Sequence, residues 1–147
     1  MLRAVQMPRA ELSILLTDDA QMKRLNGIYR GKDRPTDVMA FAQREGEQAE
    51  RAGRLLGDVV VSIPTAYRQA AARGAELSQE LTMLLAHGLL HLLGWDHHTV
   101  TADRRMAREA KRLSDVAAAT APTGAKRRMG ADSKGGPTTR KSGRRTR

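Results

Sequence analysis

The sequence predicts an α+β domain in which helices pack on a small mixed sheet. Its 147 residues suffice for one domain with a hydrophobic core. Short segments of strand character are mixed with longer segments of helical periodicity, and the two kinds do not alternate regularly as they do in parallel α/β folds. We find no internal repeat, so a single compact domain is expected.

Three segments are predicted to be strands. Glu11–Thr17 (ELSILLT) is a short apolar run, and Leu56–Ser62 (LGDVVVS) is rich in β-branched valine. Val38–Ala42 lies between them and follows a polar, proline-containing loop at Arg30–Asp37. Glycines and charges separate the three segments, as is typical of strands joined by exposed connections.

Four segments are predicted to be helices: from about Ala20 to Tyr29, from Pro64 to Arg73, from Ser78 to Leu92 and from Thr101 to Ala117. Asp18 and Asp19 can cap the first helix. Pro64 suits the first turn of the second, and Gly74 suits its end. Leucines at helical spacing give the third helix a buried face, whereas the fourth is amphipathic and heavily charged.

The basic charge is concentrated at the end of the chain. Lysine and arginine number 26 against 16 acids, a net charge of +10, and nine basic residues with one acid lie in residues 118–147. This stretch has no Leu, Ile, Val, Phe or Trp, so it cannot form a core. We therefore predict a domain at 1–117 and a disordered basic tail at 118–147. The tail either keeps the protein soluble or binds phosphate groups weakly.

The composition excludes several classes of protein. There is no cysteine, so disulfides, thiolate zinc sites, iron–sulfur clusters and a cysteine nucleophile are ruled out, and any metal must use His, Asp or Glu. The first residues lack the pattern of a signal peptide, and no apolar run reaches the roughly 18 residues of a membrane span. A cytoplasmic location is expected.

All four histidines fall within the segment His87–His98. On a helix, His87 and His91 share one face because side chains four residues apart lie above one another. Gly94 can turn the chain at the helix end, so that His97 swings back toward the same point. Three imidazoles with an open position for water are the arrangement of a catalytic zinc site, although nickel, iron and copper also accept imidazole. His98 is interpreted as an ordinary loop residue.

The spacing of these ligands is that of the metzincin proteases, H-E-x-x-H-x-x-G-x-x-H, with one departure. The glutamate that serves those enzymes as general base is replaced here by Gly88. A zinc metallopeptidase is therefore the alternative rather than the first interpretation. Phosphodiesters fit better, because a metal and an arginine together can stabilise the charge on phosphoryl oxygens.

Three segments carry a more specific pattern. Leu25–Phe41 reads LNGIYRGKDRPTDVMAF, Leu56–Ser62 reads LGDVVVS and His87–His97 reads HGLLHLLGWDH. In this order they resemble the signatures L-N-x-x-Y-R-x-K-D-x-P-T-D-V-L-S-F, L-G-D-I-x-I-S and H-G-x-L-H-L-x-G-[YW]-D-H of the YbeY family, bacterial rRNA maturation factors described as metal-dependent endoribonucleases. The resemblance covers about Glu11 to Leu113.

The resemblance implies a single-strand-specific endoribonuclease with one Zn²⁺, acting in maturation of the 16S rRNA 3′ end, ribosome biogenesis and quality control. His87, His91 and His97 match the family's zinc ligands, and Arg30 matches the arginine that faces the metal cleft. Arg30 is thus the candidate to anchor a phosphate through two parallel hydrogen bonds. The implied partners are single-stranded RNA, rRNA, and the ribosomal small subunit or its assembly factors, with no membrane.

Several nearby residues have two interpretations. Lys32 and Arg34 either widen a basic surface or are merely solvated. Asp37 and Asp58 either cap a turn or strand end or accept an imidazole N–H from a ligand. Trp95 either packs as a hydrophobic plug or stacks on an RNA base.

The role of the acid inside the histidine motif also stays open, as does the general base. Asp96 either orients a histidine, or accepts a proton during turnover, or only stabilises its own loop. A third function is a non-catalytic RNA-binding module for ribosome assembly, in which Asp96 or His98 closes the zinc site as a fourth ligand.

Members of the family usually carry a further strand and helix before the segment equivalent to Glu11–Thr17. This chain has about ten residues there, so the resemblance implies that a sheet edge and one helix are missing.

Overall fold

The computed structural model describes residues 1–43, 53–95 and 98–120. A short 3₁₀ helix, Leu2–Val5, precedes seven longer elements. These are β1 (Glu11–Thr17), α1 (Asp19–Arg30), β2 (Val38–Ala42), β3 (Leu55–Ser62), α2 (Ile63–Arg73), α3 (Leu77–Leu92) and α4 (Val100–Thr120). The predicted α+β class with a small mixed sheet is confirmed.

The sheet has the strand order β1-β3-β2, with β1 parallel and β2 antiparallel to the central strand. The central strand β3 is buried on both faces, because helices pack on each side of the sheet. Val59 and Val61 face the main hydrophobic cluster, to which α3 and α4 contribute. Val60 faces a smaller cluster with Met22 of α1 and Met39 of β2. Helices thus cover both faces of the sheet. Within the described residues β1 pairs only with β3, and its three central aliphatic side chains are about half exposed.

Local signals explain most of the helix boundaries. The Asp18 carboxylate accepts a hydrogen bond from the Gln21 backbone N–H at 2.8 Å and caps α1. Gly31 and Gly74 end α1 and α2 in the left-handed conformation, with φ of 65° and 63°. The predicted opening of α3 at Ser78 is wrong by one residue. Its N-cap is Glu76, whose backbone N–H donates to the Gln79 side chain at 2.9 Å.

Helix α4 ends three residues beyond the predicted end at Ala117. Ala118 and Ala119 have the highest helix propensity of any residue type. The hydroxyl of Thr120 donates to the Val116 carbonyl at 3.0 Å and so satisfies an acceptor at the helix end. The rest of the predicted basic tail, residues 121–147, lies outside the described residues. No helix in the described part of the chain is long and apolar enough to span a membrane.

A partly exposed network of hydrogen bonds joins the start of α1 to the start of α2. Asp19 Oδ1 accepts from the hydroxyls of Ser62 and Thr65 at 2.5 and 2.6 Å, and Oδ2 accepts from the Arg68 guanidinium at 2.8 Å. These hydrogen bonds favour the charged carboxylate and lower the pKa of Asp19 to about 2. The bond from the Ser62 hydroxyl has the largest effect, followed by those from Thr65 and Arg68.

Candidate active site

The candidate site is a cavity of about 190 Å³ at the start of β2. It is lined by residues of α1, of the loop before β2, of β2 and of α3: Arg30, Thr36, Asp37, Val38, Ala40, His87, Gly88 and His91. Because β2 lies at the edge of the sheet, α1 from one face and α3 from the other meet there. The structure thus brings together Arg30 and two of the predicted histidines, which are far apart in the chain.

The two histidines on α3 face each other. Their Nε2 atoms are 3.1 Å apart, and their ring planes make an angle of 81°. In a tetrahedral zinc site with Zn–N bonds of about 2.0–2.1 Å, two ligand nitrogens are about 3.3 Å apart. His87 and His91 therefore fit two corners of such a site. The same separation also suits a hydrogen bond between the rings, in which one Nε2 donates and the other accepts, whereas a shared metal ion needs a lone pair on both Nε2 atoms.

The third predicted ligand, His97, lies outside the described residues, as does Asp96. Within the described residues, the turn that ends α3 includes Gly94, which has φ of 80° and whose N–H donates to the His91 carbonyl at 3.0 Å. In the ranges that the structure describes, no three His, Cys, Asp or Glu side chains are grouped to hold a metal ion. The site of three histidines, and the zinc site on a helix and the loop after it, stay predictions. His98 is described and is exposed.

Gly88 brings α3 close to the sheet between the two histidines. A Cβ atom at this position would lie 2.7 Å from Val59 Cγ1, closer than real Cβ atoms approach, and 3.0 Å from Val59 Cγ2. A glutamate at residue 88 would therefore require the Val59 side chain or α3 to shift. This contact gives the departure from the protease pattern a steric reason, which the sequence alone did not provide.

The two ambiguous aspartates have structural partners. Asp37 Oδ1 accepts from the Val38 backbone N–H at 2.8 Å, and Oδ2 accepts from the Gln69 amide at 3.0 Å. It lines the cavity while it caps the start of β2. Asp58 Oδ2 accepts from the Gln43 amide at 3.2 Å and does not line this cavity. The capping interpretation therefore fits Asp37, whereas Asp58 lies within β3 and caps no strand end.

Trp95 packs against the main hydrophobic cluster, as the plug interpretation predicts. The guanidinium carbon of Arg105 lies 5.1 Å from the centre of its ring, a cation–π contact.

One residue next to the site, Asn26, is not among those predicted from the sequence. It is 2% exposed, and its side-chain amide donates to the Arg34 carbonyl at 2.7 Å. An asparagine inside a helix, one turn before Arg30, is the signal that could have identified it, because asparagine is a poor helix former and needs another reason to be there.

Comparisons with known proteins agree with the motifs. A family model described as Endoribonuclease YbeY matches residues 2–117. A protein of that name from a Synechococcus strain is 50% identical over 114 residues, which cover 74% of this chain and 69% of the relative. Another from Moorella thermoacetica is 49% identical over 109 residues, covering 69% and 70% of the two chains. A Thermotoga maritima protein solved in solution has the same fold, with a TM-score of 0.54, 24% identity and coverage of 76% and 71%.

Proposed function

The chain belongs to the YbeY family, and from this premise we propose that it is a metal-dependent endoribonuclease that cleaves single-stranded RNA. The observation that carries the proposal is the cavity that Arg30 shares with His87 and His91. The Arg30 guanidinium carries a permanent positive charge, and the two imidazoles are groups that bind metal ions. Together they suit a phosphodiester, because its transition state carries negative charge on the phosphoryl oxygens. We propose that its substrate in the cell is rRNA, and that it acts in maturation of the 16S 3′ end and in ribosome quality control.

The metal would be held by His87, His91 and His97. Imidazole ligands without thiolates favour Zn²⁺, and we propose one such ion. When bound, the ion supplies Lewis-acid chemistry, by which water is made more acidic and charge on a phosphoryl oxygen is neutralised.

Arg30 is proposed to orient the scissile phosphate. It is the last residue of α1 and lines the cavity. Its planar guanidinium can donate two parallel hydrogen bonds to two phosphate oxygens, which fixes the orientation of the phosphate as well as neutralising it. Both carboxylate oxygens of Asp37 already accept hydrogen bonds, so we do not assign Asp37 as the general base.

Gly88 supports the nuclease over the zinc peptidase. A peptidase of this spacing needs a glutamate there, and even a Cβ at residue 88 would lie 2.7 Å from Val59 Cγ1, so that a side chain fits only if its neighbours shift. Digestion of casein by the purified chain would revive the peptidase.

The proposed partners are the ribosomal small subunit and its assembly factors, which would place the protein in the cytoplasm. We also propose that the catalytic domain spans residues 1–117. The nine basic residues after it would add a weak attraction to RNA phosphates that does not depend on the base sequence.

The test is cleavage of an unstructured RNA by the purified chain, with bound metal measured by mass spectrometry. We expect His91→Ala to lose both metal and cleavage, and Arg30→Ala to lose cleavage while it keeps the metal. Arg24→Ala is the matched control, because Arg24 is exposed on the same helix and does not line the cavity. Undiminished cleavage by His91→Ala or Arg30→Ala would refute the assignment.

One further variant separates catalysis from a purely structural metal site. His98→Ala should keep both metal and cleavage if the zinc keeps an open position. Loss of metal from His98→Ala, together with no cleavage by the unmodified chain, would favour the non-catalytic RNA-binding module.

A further inference from the structure

A second cavity of about 190 Å³ adjoins the candidate active site. It is lined by the end of α1 and the loop that follows: Asn26, Arg30, Lys32, Arg34, Pro35 and Thr36. Arg30 and Thr36 also line the first cavity. The two cavities are therefore neighbours that share a wall, and Arg30 belongs to both.

The charge of the second cavity is positive and is not neutralised by nearby acids. Within the described residues, Arg30, Lys32 and Arg34 make no ion pair. The acid of the same loop, Asp33, pairs with Lys23 at 3.3 Å and does not line the cavity. Three cations around one concavity are the chemistry that recognises a phosphate.

The loop that carries these cations is held from inside by Asn26. The Asn26 side-chain amide donates to the Arg34 carbonyl at 2.7 Å, and the Asn26 carbonyl accepts from the Lys32 backbone N–H at 3.2 Å. Gly31, with φ of 65°, makes the turn between helix and loop. The Asn26 Oδ1 atom is buried with no hydrogen-bond partner among the described residues, a cost that an apolar side chain would avoid. The Asn26 side chain is thus a positioning group that fixes the loop at Arg34, whereas the bond to Lys32 is made by the Asn26 backbone.

From this arrangement we propose that the second cavity is a subsite for the phosphate next to the scissile one in the RNA strand. The inference rests on the proposed function, because the first cavity must take the scissile phosphate. Lys32 and Arg34 bind the neighbouring phosphate, and Arg30 lies between the two. Binding of two successive phosphates sets the register of the strand without reading its bases.

The experiment uses the double variant Lys32→Ala/Arg34→Ala in the full chain. Binding of a fluorescent oligouridylate is measured against salt concentration, with chelator present so that the RNA stays intact. For single strands each phosphate contact contributes about 0.7 to the slope of log affinity against log salt. We expect the slope to fall by about 0.7 for one lost phosphate contact, together with weaker binding.

The matched control is Arg104→Ala/Arg108→Ala. It removes the same charge from exposed positions of α4 that do not line either cavity. Its slope should stay close to that of the unmodified chain. Equal slopes and affinities for the two double variants would overturn the subsite.

Cleavage kinetics provide an independent readout. With oligouridylate the Lys32→Ala/Arg34→Ala variant should show a raised KM and an unchanged kcat. With a dinucleoside monophosphate, which has no neighbouring phosphate, it should match the unmodified chain. A loss of cleavage on both substrates would contradict the subsite. Failure of the unmodified chain to cleave any RNA would refute the proposed function instead, and the binding data would still report on the subsite.

Discussion

The close contact between Gly88 and Val59 predicts a measurable penalty for the smallest possible side chain. In Gly88→Ala the new Cβ would lie 2.7 Å from one Val59 methyl carbon and 3.0 Å from the other. Overpacking of this kind costs about 1–3 kcal/mol. Alanine also gains about 1 kcal/mol over glycine as a helix former. The net loss of unfolding free energy is therefore expected to be about 0–2 kcal/mol.

A matched substitution isolates the steric part of this balance. Gly27 also lies in a helix, and a Cβ there would come no closer than 4.0 Å to the Lys32 carbonyl oxygen. Gly27→Ala should therefore show only the gain in helix propensity. The two variants should differ in unfolding free energy by about 1–3 kcal/mol, measured by urea denaturation with chelator present so that metal binding does not contribute.

A double-mutant cycle with Val59→Ala completes the test. Removing the two methyl groups should make Gly88→Ala less costly than it is beside valine, with a coupling energy of about 1–2 kcal/mol. Because His87 and His91 flank the glycine, the single variant should also bind Zn²⁺ more weakly. If Gly88→Ala were as stabilising as Gly27→Ala, with no coupling to Val59, the close approach of α3 to β3 would not be the constraint we describe.

Three further predictions follow from the structure. The pKa of Asp19 is lowered from 3.8 to about 2, which corresponds to about 2 kcal/mol. Solvent screening at this partly exposed carboxylate reduces that to about 1 kcal/mol. Asp19→Asn should thus be less stable by about that amount near neutral pH. The difference should vanish in denaturation curves as the pH falls from about 4 to about 2, and a difference independent of pH would argue against the charged network. Gly57→Ala should lose about 3 kcal/mol or more, because φ is 153° and a Cβ would lie 2.1 Å from the Phe41 carbonyl oxygen; a urea midpoint like that of the unmodified chain would contradict this. Zn²⁺ at a hundred times its Kd should stabilise the chain by about 2.7 kcal/mol, seen as a raised Tm that chelator reverses and that His91→Ala lacks. An equal rise in His91→Ala would show that the ion binds elsewhere.

Local signals allowed the elements to be predicted from the sequence to within one or two residues at most boundaries. Gly31 and Gly74 adopt the left-handed conformations that end helices, and Asp18 is a true cap. The start of α3 was misplaced because Glu76, a less common cap, takes that role with Gln79. The order of the strands was beyond such signals, since β1 pairs with a strand that follows it only after α1 and β2.

The candidate site could be predicted in part. The spacing of His87 and His91 on one helix fixes their proximity, so the pair followed from helical geometry alone. Arg30 could be placed in the same cavity only through the family resemblance, because the cavity depends on how α1 and α3 pack around β2. The steric role of Gly88 and the anchoring role of Asn26 depend on partners that are distant in the chain, Val59 and the loop after α1.

The division of the interior into two hydrophobic clusters has a consequence for how such an enzyme can be tuned. The histidine pair stands on α3, which is anchored in the larger cluster. Arg30 stands on α1, which rests on the smaller cluster formed by Met22, Met39 and Val60. Methionine packs adaptably and tolerates replacement. Substitutions in that methionine layer should therefore shift the guanidinium by small amounts while the cation ligands stay in place. Selection could thereby adjust affinity for the nucleic acid strand and the reactivity of the metal independently.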